Sequence, residues 1–121
     1  MLTTTSIQDG YATEEGSIGV KIYFWDTDGT TAVTPDAGLV WTLVNAAGEV
    51  INSRLNVAIT ARESIIVELA GDDLVLPEKI TSARYVVSTG TYTSSTLGAG
   101  TTFVHQHQFH INPVKKLDIW P

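Results

Sequence analysis

The densest run of chemically capable residues is Val104-His105-Gln106-His107-Gln108-Phe109-His110. Side chains of an extended strand alternate between its two faces. His105 and His107 therefore share a face with Phe103, Phe109 and Ile111, and His110 points the other way. Two imidazoles at i and i+2 can hold a metal ion if a third ligand arrives from a neighbouring strand. No HxxEH-type spacing or carboxylate partner accompanies them, so the pair reads first as two rings on a half-buried sheet face near a subunit contact. Asp26-x-Asp28-Gly29 matches the start of a calcium loop, but the twelfth position, which needs Glu, is Ala37, and an EF-hand is excluded. Asp26, Asp28 and Asp36 then read as turn residues that hydrogen-bond nearby backbone, with an ion held between strands as the alternative.

The remaining candidates are weaker as chemistry. Glu14-Glu15 and Asp72-Asp73 are adjacent in sequence. Neighbouring residues of a strand or loop point apart, so these read as solvated surface rather than general acid–base pairs. No G-x-S-x-G, P-loop or G-x-G-x-x-G pattern is present, and no nucleophile, base and orienting group assemble. The chain has no cysteine, which removes thiolate metal sites, disulfides and a cysteine nucleophile. The expectation is a chain without enzymatic activity or cofactor. Tyr23 and Trp25 sit on the outward face of a strand, where aromatic rings can stack on sugars, serve a protein interface or pack beneath an N-terminal strand.

These residues need strands to place them. Helical periodicity is scarce and period-two alternation recurs. Ile18, Val20, Ile22 and Phe24 alternate with Gly19, Lys21, Tyr23 and Trp25, and the pattern stops at the turn Asp26-Thr27-Asp28-Gly29. Leu39, Trp41 and Leu43 line one face of the next strand. Asn45-Ala46-Ala47-Gly48 reverses the chain, and Glu49–Asn52 is expected to return as a hairpin partner. Leu55–Ala61 is expected to form a strand with Leu55, Val57 and Ile59 alternating. Ser64–Leu69 follows with Ile65, Val67 and Leu69 inward. Gly71–Leu74 reads as one helical turn or a tight turn capped by Asp. Ala83–Thr89 is a strand with Tyr85 and Val87 on one face, Tyr92–Gly100 a mobile polar loop, and Thr101–Ile111 the last long strand. Seven to eight short strands with turn chemistry between them predict an antiparallel, immunoglobulin-like β-sandwich, with a closed barrel as the alternative. Trp41 would take the place of the core tryptophan of such sandwiches.

The 121 residues fit one domain. Residues 11–112 form the expected sandwich, 1–10 an arm or edge strand, and 113–121 a tail. Leu2 and Ile7 are the apolar residues of the arm, which can add to a neighbouring sheet edge. Trp120 either caps its own core or anchors in a partner. With 13 acidic against 7 basic residues the formal net charge is −6. That disfavours nucleic acid, which needs clustered cations, and anionic lipid. The start of the chain carries neither the basic nor the apolar region of a secretory signal, and no apolar run approaches the roughly 20 residues of a membrane-spanning helix. The interface candidates are thus Leu2, Ile7, Tyr23, Trp25, His105, His107 and Trp120.

Five stretches carry a family resemblance. They are Tyr11-Ala12-Thr13-Glu14-Glu15-Gly16-Ser17, Phe24-Trp25-Asp26-Thr27-Asp28-Gly29-Thr30, Val33-Thr34-Pro35, the run from Val40 to Asn52, and Leu69-Ala70-Gly71-Asp72-Asp73-Leu74. Across residues 11–112 the chain resembles small immunoglobulin-like proteins encoded among the virion structural genes of tailed bacteriophages. The resemblance implies a non-enzymatic virion component, made in the host cytoplasm and present in many copies. The leading expectation is a capsid decoration protein that contacts the major capsid protein or its own copies as a homo-oligomer on the particle. A ring-forming neck or tail protein is the second expectation and a carbohydrate-binding module the third. A metal-dependent enzyme built on His105 and His107 is the fourth.

Overall fold

Alternating β-branched residues build the strands, and glycine and asparagine end them. The computed structural model describes residues 11–13, 16–26, 29–76 and 82–112. In chain order the strands are β1 (Tyr11–Thr13), β2 (Ser17–Tyr23), β3 (Val40–Asn45), β4 (Val57–Ala58), β5 (Ser64–Ala70), β6 (Ser82–Ser94) and β7 (Gly98–Asn112). A single 3-10 turn, Gly71–Leu74, follows β5, and no α-helix occurs among the described residues. Five strands form one sheet in the order β1-β7-β6-β3-β4, while β2 and β5 pair as a second. The fold is all-β with two sheets, as the alternation predicts. One ladder departs from a wholly antiparallel arrangement: β1 runs parallel to β7, with Tyr11 opposite His110. The chain enters beside its own last strand and then leaves that sheet at once to begin β2 in the other.

The core lies between the sheets. Ile18, Val20, Ile22 and Phe24 from the β2 segment meet Ile65, Val67 and Leu69 of β5. Leu39, Trp41, Leu43, Val86, Tyr92, Phe103, Phe109 and Ile111 close the cluster from the larger sheet. Burying one large apolar side chain stabilises by about 1.5–3 kcal/mol, so this set dominates the favourable side of folding. Phe103 is wedged between Phe24 and Tyr92, with ring centroids 5.7 Å and 6.2 Å away. A methyl group built on Gly90 would lie 3.2 Å and 3.3 Å from two carbons of the Phe103 ring. A side chain at 90 therefore requires the Phe103 ring, itself held by Phe24 and Tyr92, to give way by a few tenths of an ångström.

Three segments differ from expectation. Glu49–Asn52 is not a regular strand. It makes one isolated bridge, Val44 to Val50, and the Ile51 N–H donates to Leu43 O at 2.9 Å. Asn52, Ser53 and Asn56 then take left-handed backbone at φ of 52°, 56° and 49°, which no ladder accommodates. Of Leu55–Ala61 only Val57–Ala58 pairs, and Leu55 is exposed, while Val57 and Ile59 do pack on the core. The polar loop expected at Tyr92–Gly100 is instead the tip of a long hairpin. β6 runs on to Ser94 and β7 begins at Gly98, and Tyr92 is fully buried. The Ser94 hydroxyl accepts from the Thr96 and Leu97 N–H groups and closes that tip.

Asp73 also departs from its expected place on the solvated surface, since it is buried. Its carboxylate accepts from Arg54 Nε at 2.8 Å, Asn52 Nδ2 at 2.8 Å and the Ala70 N–H at 3.1 Å. Burial alone would raise its pKa. The hydrogen bonds from Arg54, Asn52 and Ala70 outweigh that and hold it below the usual carboxylate value. The strained 52–56 loop is thereby tied to the 3-10 turn.

Asp73→Ala is expected to cost about 1–3 kcal/mol, the loss of a buried hydrogen-bonding acceptor, as a lower urea midpoint. Arg54→Ala should cost less, because that side chain is partly solvated. Gly90→Ala should destabilise by about 1–3 kcal/mol through overpacking against Phe103. A calorimetric Tm at or above that of the parent would contradict the tight contact.

Candidate functional site

The register of the large sheet fixes what each of its faces carries. Trp41 pairs with Ser88 and Ser88 with His105; Leu43 pairs with Val86 and Val86 with His107. All six point inward, so the histidine pair belongs to the inner face, on the same side as Phe103, Phe109 and Ile111, as the alternation predicts. Yet His105 and His107 are only half-buried, whereas Phe103 and Phe109 on either side are buried. Ser88 Oγ, Tyr92 OH and His107 Nε2 are buried without a hydrogen-bond partner among the described residues. No third His, Cys, Asp or Glu gathers with the pair among the described residues.

Beside this patch one border of the sheet is unpaired among the described residues. β6 covers one edge of β7 from Gly98 to Ile111, and β1 covers the other only opposite His110–Asn112. From Gly98 to Phe109 no described strand pairs with that second edge. Unpaired N–H and C=O groups in such a row are a template for an added strand.

The outer face of the same sheet was not singled out from sequence. Its rows are Val40, Thr89 and Val104; then Thr42, Val87 and Gln106; then Val44, Tyr85 and Gln108. Thr91 and Thr102 extend it at one end, Ala83 and His110 at the other. None of these residues is Asp, Glu, Lys or Arg, although the chain as a whole is 17% charged. Val104 stands 69% exposed near the open edge. Depletion of charge around exposed aliphatic and tyrosine side chains is the composition of an interface core.

The outer face of the smaller sheet is of another kind. Lys21 lies opposite Ile66 and Tyr23 opposite Ser64. The Phe24 N–H donates to Glu63 O at 3.0 Å, and Trp25 makes an isolated bridge to Ala32. The Tyr23 and Trp25 rings are stacked, with planes 24° from parallel and centroids 6.4 Å apart, and Lys21 Nζ sits over the Tyr23 ring, 5.1 Å from its centre. Both aromatics point outward and are half-buried.

Other candidates serve the fold. Asp26 accepts from the Ser95 N–H at 3.1 Å, and Asp36 accepts from the Thr91 hydroxyl at 2.8 Å. Both carboxylates thus anchor the β6–β7 hairpin, a partner distant in sequence rather than the nearby backbone expected of turn residues. Arg84 was missed from sequence. It is buried on the inner face beside Phe109, donates to Ala83 O at 3.0 Å, and burial lowers its pKa. Leu2, Ile7, Glu14, Glu15, Asp28 and Trp120 lie outside the described residues. Comparison with family models, with curated proteins and with solved structures finds no match.

Burial pushes the His105 pKa down, with the neighbouring His107 adding to the effect, and burial lowers that of His107. Both imidazoles therefore favour the neutral form in the folded chain. Below the ordinary histidine value of about 6.5 the unfolded chain binds more protons, so stability is lost as pH falls. The urea midpoint should hold above about pH 7 and drop toward about pH 5. The double variant His105→Gln, His107→Gln should drop less over that range. Equal slopes for parent and variant would refute the assignment.

Proposed function

We propose that the chain is a non-enzymatic structural protein of a virion, a capsid decoration module that docks on the major capsid protein. The observation that carries this reading is the uncharged outer face of β3, β6 and β7. A merely solvated face in a chain of this composition would carry charge. A flat sheet of Val, Thr, Tyr and Gln offers a partner apolar contact at the centre and hydroxyl and amide groups around it, with no charge to desolvate. The resemblance of residues 11–112 to immunoglobulin-like phage structural proteins supports the same reading. So does the strand order. We take the β2–β5 pair and the β7-β6-β3 triple, with Trp41 buried on β3, as the two halves of an immunoglobulin-like sandwich.

The open edge of β7 supplies a second kind of contact. A strand donated by a neighbouring copy can pair with main-chain groups there whatever its side chains. The Thr-rich residues 1–10 are the segment proposed for that role.

Two variants test the two contacts. Val104→Glu changes a side chain that is largely exposed, so stability should shift by no more than about 0.5 kcal/mol. Deleting residues 1–10 should likewise leave a cooperative thermal transition. Each protein should be depleted from purified particles, read as its band intensity relative to the major capsid protein. Normal incorporation of Val104→Glu would overturn the docking face, and normal incorporation of the truncated chain would overturn the arm. A parent stoichiometry far below that of the major capsid protein would replace decoration with a ring at the neck or tail.

A further inference from the structure

We infer, resting on the arm reading above, that before it joins a particle the chain closes its own β7 edge. Residues 1–10, which lie outside the described residues, would continue β1 backwards along β7 as a parallel strand. Each would lie opposite the residue 99 positions later, as Tyr11 lies opposite His110. Passing the arm to a neighbouring copy is then an exchange of this one strand, a domain swap. Three observations support this.

The first is the edge itself. From Gly98 to Asn112, 15 residues, β7 contains no Asp, Glu, Lys, Arg or Pro. Edge strands that stay unpaired are guarded by charge, by proline or by being short. β7 has none of these guards. Among the described residues β6 covers one of its borders, and β1 covers only the last three positions of the other.

The second is the register already set. Tyr11 faces His110, Ala12 faces Ile111 and Thr13 faces Asn112. A segment that precedes Tyr11 needs no turn and no change of direction to run on past Phe109. It extends an existing ladder instead of closing a new loop. A strand from another molecule must first lose its translational and rotational freedom. The chain's own segment is therefore the favoured occupant of the edge.

The third is the match of residue types. Ala12 and Ile111 are opposite one another and both are buried. Alternation then assigns the even-numbered arm residues to the inner face and the odd-numbered ones to the outer. Ser6 and Gln8 fall opposite His105 and His107, the half-buried positions of the inner face. A hydroxyl and an amide both donate and accept, so they suit neutral imidazoles in either tautomer. His107 Nε2 has no partner among the described residues. The small Thr4 and Gly10 fall opposite the buried rings of Phe103 and Phe109. On the outer face Thr3, Thr5 and Ile7 fall beside Thr102, Val104 and Gln106 and prolong its uncharged surface. Asp9, the one charged side chain of residues 1–10, also points outward. A slip of one residue in either direction would turn Ile7 and Asp9 inward and exchange the faces of all the others.

The test is disulfide trapping in the full chain, which has no cysteine of its own. Directly opposed strand residues meet the spacing that a disulfide requires. Thr5→Cys with Val104→Cys, and separately Ile7→Cys with Gln106→Cys, are expected to link in a glutathione redox buffer. Val104 and Gln106 are exposed, so neither pair threatens folding, and each pair checks the other. The slipped pairs Ile7→Cys with Val104→Cys and Ser6→Cys with Val104→Cys are expected to link at least about tenfold less, being too distant or on opposite faces. Non-reducing gels and the mass of linked peptides give the yield and show whether the link lies within one chain. In-register links within single chains support the inference. In-register links found only between two chains would overturn closure by the chain's own arm and leave donation by a neighbour. No link in either in-register pair, or equal yields in all four pairs, would overturn the registered strand. Incorporation of the truncated chain into particles is read separately, so an arm that particles require but that gives no in-register link sinks this inference alone.

Discussion

The inner faces of the two sheets have to close on each other, and they are unequal. Among the described residues β2 and β5 make a ribbon two strands wide, set against a sheet of five. Strands in a sheet lie about 4.8 Å apart, so the ribbon cannot reach across the whole inner face opposite. Its inward residues are accordingly all aliphatic or aromatic, and at one point of contact Phe24 meets Phe103, with Tyr92 behind it. Away from that contact the inner face carries the half-buried His105 and His107. The strand periodicity is intact through these positions, and the change in residue type follows the change in cover.

The same inequality bears on the protonation of the histidines. A fully covered imidazole needs partners for both ring nitrogens, and a fully exposed one titrates near its ordinary value. Half-buried, and with His107 Nε2 lacking a partner among the described residues, the pair is held toward neutrality by desolvation. Neutral rings on a sheet face are compatible with an added strand alongside, because its backbone and hydroxyl groups can hydrogen-bond to them without desolvating a charge. The open edge of β7 and the polar inner patch therefore lie where one extended segment could answer both.

Much of this was legible in the sequence, for a physical reason. Period-two alternation places side chains with little help from context, so the inward sets of β2, β3 and β5 and the shared face of His105 and His107 follow directly from spacing. What was hidden depends on partners distant in sequence. Tyr92–Gly100 reads as loop because Ser, Thr and Gly punctuate turns, yet threonine is also a strand former, and the pairing of β6 with β7 settles which property wins. Asp73 reads as solvated until Asn52, Arg54 and Ala70 are seen to converge on it. The left-handed residues at 52, 53 and 56 break an apparently continuous alternation. The uncharged outer face is spread over three strands, so no window of sequence displays it; only the register brings Val40, Val87 and Val104 onto one surface.

Two outer faces of opposite character follow from a sandwich in which each strand spends one side on the core. On the larger sheet the spare side is neutral and carries an exposed valine. On the smaller it carries Lys21, Tyr23 and Trp25 together with the exposed Ile66 and Glu68. An exposed neutral sheet face invites association, and it persists with least liability where a partner covers it. The second face has the reverse property, since the charged Lys21 and Glu68 keep it hydrated and resist burial against a second apolar surface. The faces lie on opposite sides of a two-layer structure whose sheets pack about 10 Å apart. Covering the first therefore leaves the second open to solvent.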